Sequence, residues 1–266
     1  MKAKLKPIVT GGMAKQIATN VREAIMAGRL KIDERLPTEE ELATQFGVSR
    51  PTIREALKRL TAQNLVRSQR GPTGGTFVVR PTEEQIASAL TGSVMMFISL
   101  GGVSPDHLAQ ARESLERLCC RLAAQHRTED DLEAMRRQLA MQRDASASDI
   151  TFCLADMGFH QALVEATHNP LMRILMTSVL ETLQAVFNMA SFPFRVRKKV
   201  LAQHEAILEA IAAQDADAAE TAMEAQMRYV AETYQKGVQS RQEGKLVDVN
   251  YPDRSATTIL AGGDGE

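Results

Sequence analysis

The run Leu36-Pro-Thr-Glu-Glu-Glu-Leu-Ala-Thr-Gln-Phe-Gly-Val-Ser-Arg-Pro-Thr-Ile-Arg-Glu-Ala-Leu57 decides how the first part of this chain folds. Thr38 stands where a helix N-cap sets a side-chain oxygen over free backbone N–H groups. Glu39, Glu40 and Glu41 follow in the first turn, where the positive end of the helix dipole favours carboxylates. These signals predict a helix over Glu39–Phe46. Gly47-Val48 then makes a tight turn, and Ser49 caps a second helix. Pro51 falls near its first turn, where a missing N–H costs little. The second helix is expected to reach about Asn64, with Ile53, Leu57 and Leu60 facing inward. Two short helices about such a turn allow the second to lie in a DNA major groove. Ser49, Arg50, Thr52 and Arg54 sit on or near its exposed N-terminal face. Arginine suits bidentate contact to guanine or phosphate, threonine reaches phosphate or a thymine methyl, and the helix N-terminus attracts phosphate. Taken alone, the helix reads equally well as a solvated surface helix, so its surroundings decide.

Upstream, Ile17, Val21, Ala24 and Ile25 recur at helical spacing within Met13–Ala27, and Gly28 supplies a stop. Leu30 to Pro37 reads as a short extended link. Downstream the period changes from helical to alternating. Leu65–Gln69 reads as a strand, Arg70–Gly75 as a turn and Thr76–Val79 as the return strand. Gly74 and Gly75 at the hairpin tip are expected to let backbone approach a duplex closely. Arg80-Pro81-Thr82 reads as a linker. Residues 1–80 hold 15 Lys+Arg and 7 Asp+Glu, a net of +8, whereas the remainder carries a net of −9. One end of the chain suits a polyanion and the other does not.

From Glu83 to about Lys236 only helical patterns occur. Breaks fall at Gly101-Gly102, near Thr128, near 145–148, at Asn169-Pro170, near Pro193 and near Asp215. Six or seven helices joined by short connections imply an antiparallel bundle. The fold class is therefore mainly α: a winged helix-turn-helix of three helices and a β-hairpin over 13–80, behind an arm at 1–12, then an all-α domain over 84–236. Residues 237–266 are polar, glycine-containing and aperiodic, and read as a flexible tail. Cys119, Cys120 and Cys153 form no metal or redox spacing and read as small buried hydrophobes in a reducing compartment. No secretory leader is evident. The uncharged stretch Gln85–Pro105 contains too many serines, threonines and glycines for a membrane span and is expected as a buried helix at a domain or subunit contact. A cytoplasmic protein with no membrane partner follows.

The opening run, with Leu65-Val66 and Gly74-Gly-Thr-Phe-Val78, resembles the winged helix-turn-helix of the GntR family over about residues 13–80. The resemblance implies DNA contacts from Arg50, Arg54 and Thr52. Many members carry an arginine that touches DNA where this chain has Glu40. A carboxylate there repels phosphate, so a relative's operator sequence does not carry over. Residues 84–236 resemble the FCD ligand-binding domain of FadR-type members, through Arg112-Glu-Ser-Leu-Glu-Arg117, Leu122-Ala-Ala124, Asp156-Met-Gly-Phe-His160, Asn169-Pro170 and the helix containing His204, Ile207 and Ile211.

Asp156 and His160 stand four apart on an otherwise apolar pattern, which puts both on one helix face. By spacing alone they read as a helix-stabilising pair and His204 as a satisfied histidine. The resemblance implies instead a divalent metal, zinc first, held by an aspartate and three histidines. The last of these would fall 22 residues after His204, where this chain has Gln226: either water or effector completes the shell of the other three, or Gln226 joins as a weak ligand through its carbonyl oxygen, or the site holds effector by hydrogen bonds without metal. The resemblance further implies a small carboxylate effector, an organic or sugar acid, held by metal and arginine. Arg112 is the expected anion partner, with Arg173 as the alternative; a salt bridge from Arg112 to Glu116 is the competing reading. The whole implies a repressor and not an enzyme: a homodimer on near-palindromic double-stranded DNA, with operator binding modulated by effector. The competing classes are a metal-dependent hydrolase with a DNA-binding appendage and a winged-helix dimer without a small ligand.

Overall fold

The computed structural model describes residues 12–71, 74–191 and 196–243. The chain divides into two compact units, the first ending at Ile86 and the second starting at Ala87. This division falls inside a helix, a few residues past the linker expected at Arg80–Thr82.

The first unit contains α1 (Met13–Met26), α2 (Glu39–Phe46), α3 (Arg50–Ala62), β1 (Val66–Gln69) and β2 (Gly75–Val78). Thr38 and Glu41 form a reciprocal capping box that starts α2, and Gly47, at φ 66°, ends it. Ser49 holds the N-cap position of α3, but its hydroxyl meets Thr52 Oγ1 at 2.9 Å instead of a backbone N–H. Ile17, Val21, Leu42, Ile53, Leu60, Val66 and Val78 interlock in one core. β1 and β2 are antiparallel, with Val66 opposite Val78 and Gln69 opposite Gly75. A Cβ on Gly74 would lie 2.4 Å from the Gln69 carbonyl oxygen, so the turn itself requires glycine there. The segment read as a simple link pairs with the outer edge of β2. Asp33 N–H donates to the Val78 carbonyl at 2.9 Å, Val78 N–H to the Glu34 carbonyl at 2.9 Å and Leu36 N–H to the Thr76 carbonyl at 2.8 Å. An edge that would otherwise invite intermolecular pairing is thereby covered.

From Glu83 the described residues hold seven helices: α4 (Glu83–Ser99), α5 (Pro105–His126), α6 (Glu129–Arg143), α7 (Asp149–Glu165), α8 (Pro170–Ser191), α9 (Arg197–Ala212) and α10 (Ala216–Gln242). Capping boxes at Ser104/His107 and Thr128/Asp131 start α5 and α6, and the Ser148 hydroxyl caps α7. The core layers small residues of α5 (Cys119, Cys120, Ala123) against Met135 and Leu139 of α6, Phe159 and Leu163 of α7, Met176 of α8, Ile207 and Ile211 of α9 and Met223 of α10. Each fully buried large aliphatic side chain contributes about 1.5–3 kcal/mol. The three cysteines are buried and form no disulfide among the described residues, and burial pushes the Cys119 thiol up to about 12.

The stretch Gln85–Pro105 is helical through Ser99, and within the single chain α4 buries Ala87 and Thr91 and leaves Ile86, Met96 and Phe97 exposed. The last helix runs six residues into the segment read as tail. Gly237, the first residue of that segment, is buried within α10. Residues 1–11, the break near Pro193 and 244–266 lie outside the described residues. Among those described, no helix is long and apolar enough to cross a membrane.

Candidate functional site

Five helices of the second unit converge on a buried polar cluster. Asp156 and His160 lie one turn apart on α7, and α9 supplies His204. Ligand-type atoms of these three residues all lie within 4.8 Å of one another. His204 Nε2 is 3.5 Å from Asp156 Oδ1. Two ligands bound at about 2.1 Å to one tetrahedral ion stand about 3.4 Å apart, so this pair is already spaced as ligands of one cation.

The other ring nitrogens are anchored. His160 Nδ1 lies 2.5 Å from Glu116 Oε2 on α5, and His204 Nδ1 lies 2.8 Å from Gln142 Oε1 on α6. A carboxylate and an amide oxygen can only accept, so each Nδ1 carries the proton and each Nε2 turns a lone pair inward. The His204 ring stacks on Phe159 with centroids 4.2 Å apart, and the two imidazoles meet edge to face at 5.2 Å. These contacts leave the rings little freedom to turn.

Gln226 of α10 completes the ring of residues with its amide reversed from the sense a ligand needs. Its Nε2 lies 3.4 Å from His160 Nε2 and in contact with His204 Nε2, while its Oε1 is buried without a partner among the described residues. The donor set that faces inward, two imidazole nitrogens and one carboxylate, fits a borderline divalent ion such as zinc with one position left for another ligand.

Glu116 ties this cluster to a second feature. Fully buried, it also accepts from Arg112 Nε at 2.7 Å. Burial works against its ionisation, but the charges of His160 and Arg112 and the bonds they donate prevail and hold its carboxyl at about 2. Arg112 lines a cavity of about 260 Å³ with Asp106 and Glu113 of α5, Leu183 of α8, and Met227 and Val230 of α10. Its salt bridge to Glu116 and its place in a cavity wall therefore hold together. Arg173 pairs with Glu165 at 3.1 Å and is not part of this wall.

In the first unit, Arg50 and Arg54 are exposed at the start of α3 and Thr52 is half-buried. Arg54 grips the Glu39 carboxylate with Nε at 3.3 Å and Nη2 at 2.9 Å, a link from α3 to the start of α2. Glu40 is exposed. Gly75 packs closely on the Arg35 side chain, so both glycines of the hairpin tip have local steric reasons to be there.

Sequence reasoning missed Glu39, Gln142 and the part Glu116 plays at His160. Their partners lie 15, 62 and 44 positions away, beyond any local periodicity. An acidic residue on an otherwise buried helix face was the available signal for Glu116.

Comparison with known proteins accounts for both units. Residues 13–78 match the family described as bacterial regulatory proteins, gntR family, and residues 107–229 match the FCD domain. The chain is 29% identical to the HTH-type transcriptional repressor NanR of Cronobacter sakazakii over 243 residues, covering 90% of this chain and 92% of that protein. To NanR of Escherichia coli K12 it is 27% identical over 239 residues, covering 86% and 87%. A solved GntR structure from Streptococcus agalactiae shares the fold at a TM-score of 0.51 and 23% identity, over 84% of this chain and 99% of that one. The chain belongs to the GntR family of DNA-binding transcriptional regulators, in the branch that carries an FCD domain, and is not an enzyme.

Proposed function

We propose that this protein represses transcription as a homodimer on a near-palindromic operator, and that a small carboxylate bound at a divalent metal in the helical domain modulates its hold on DNA. The observation that carries the sensing half is the convergence of Asp156, His160 and His204, with both imidazole Nε2 lone pairs directed inward by Glu116 and Gln142. A bundle used only for dimerisation gains nothing from burying three such groups, since buried polar atoms cost stability unless they are satisfied. The bound ion would offer an open position to an acidic ligand. Arg112, on the cavity wall, would take the other end of an organic or sugar acid through its terminal nitrogens.

The NanR relatives are named as transcriptional repressors, which supports repression here. Arg50, Thr52 and Arg54, with Ser49, would meet bases and phosphates in the major groove, and Gly74 and Gly75 would bring the wing close to the duplex. The exposed apolar side chains of α4 (Ile86, Met96, Phe97) support pairing of two copies. Effector alters DNA affinity only if it binds the two arrangements of the dimer unequally.

The test is metal analysis of protein purified without chelator or polyhistidine tag, followed by operator binding with and without carboxylates. About one metal per chain and a carboxylate that weakens operator binding support the reading. Metal-free protein whose operator affinity no acid changes would sink it.

A further inference from the structure

We infer that Gln226 is a placeholder for the metal: its amide stands between the two imidazoles, and a cation must displace it to bind. The inference rests on Asp156, His160 and His204 being a metal centre. Each imidazole Nδ1 is committed, to Glu116 and to Gln142, so each Nε2 presents a lone pair to the interior. Two inward lone pairs without a donor would be costly where all the surrounding side chains are buried. The Gln226 amide answers both, because its two N–H groups reach His160 Nε2 at 3.4 Å and contact His204 Nε2.

The amide does this against its own interest. Its Oε1 is left buried and without an acceptor's partner among the described residues. A glutamine free to choose would turn its oxygen toward a donor. Here the paired imidazoles fix the orientation, with the nitrogen where a shared cation would meet both rings. A ligand glutamine would have to face the ion with oxygen. Both inward lone pairs are thus already met by donors, and every cation that enters must first break two hydrogen bonds. Metal binding becomes weaker and readily reversible, so the protein would load and unload with metal supply instead of keeping a permanent ion.

The experiment is titration of zinc into the chelator-stripped full-length protein against a chromophoric chelator, for wild type, Gln226→Leu and Gln226→His. Melting temperatures of the metal-free forms are recorded alongside. Gln226→Leu removes the donors without adding a ligand. It should bind zinc about tenfold tighter than wild type, the equilibrium worth of one to two hydrogen bonds, and melt lower when metal-free. Gln226→His adds a fourth imidazole and should also bind tighter. Zinc binding by Gln226→Leu that is weaker than or equal to wild type overturns the placeholder. The weaker result would show the amide to be a ligand and leave the metal centre standing. Zinc uptake by none of the three chains overturns the metal centre and the placeholder together.

Discussion

At the scale of single residues, the cluster around Asp156 makes distinct demands on each side chain. Asp156→Ala or His204→Ala should abolish metal uptake, read as metal per chain after gel filtration; unchanged content in either variant would remove that residue from the site. Glu116→Ala should cost about 3–5 kcal/mol, because it leaves the buried Arg112 guanidinium and the His160 Nδ1–H without their acceptor. Chemical denaturation measures this, and a cost below about 1 kcal/mol would mean that Arg112 finds another anion. Asp156 and His160 were legible as a pair because four residues are about one helical turn. Glu116 and Gln142 were not, because the contact each makes exists only after α5 and α6 have packed.

At the scale of elements, local signals were read best where they act locally. The Thr38 cap, the Gly47 turn and the change of period at Leu65 are short-range effects, and the elements they predict are present within a residue or two. The pairing of Asp33–Leu36 with β2 was invisible because a strand edge forms across 40 positions. The last turns of α10 were missed because residues 237–242 show no helical period, although the helix continues through them. On α6, Thr128→Ala should cost about 1 kcal/mol in global stability through loss of the cap. Burial opposes ionisation of the Asp131 carboxyl of the same box, but bonds from Thr128 and His168 outweigh it and hold its pKa below the ordinary value of 3.8. A depressed folded-state pKa gives stability that is present above 3.8 and lost as pH falls through the lower folded value. The Asp131→Asn variant should therefore lose less stability than wild type over that acid range; equal slopes would show that the bonds at Asp131 do not discriminate ionisation. On α3, Arg50→Ala should weaken operator binding by about 1–3 kcal/mol if it reads a base, and flatten discrimination at one operator position. A uniform loss across all sequences would place it on phosphate instead.

At the scale of the whole molecule, the split of charge between the two ends was legible from composition, whereas the sharing of the Glu116 carboxylate between Arg112 and His160 was not. Removing metal should lower the melting temperature, since a ligand at 100 times its Kd stabilises by about 2.7 kcal/mol. A melting temperature indifferent to chelator would mean that the ion is absent at working concentrations. Glu116 pairs with Arg112 through one carboxylate oxygen and with His160 through the other, so the cavity wall and the Asp156 cluster share one buried carboxylate. On the proposed reading, a group bound at Arg112 and an ion bound at His160 would pull on the same carboxylate, so each would alter the hold of the other.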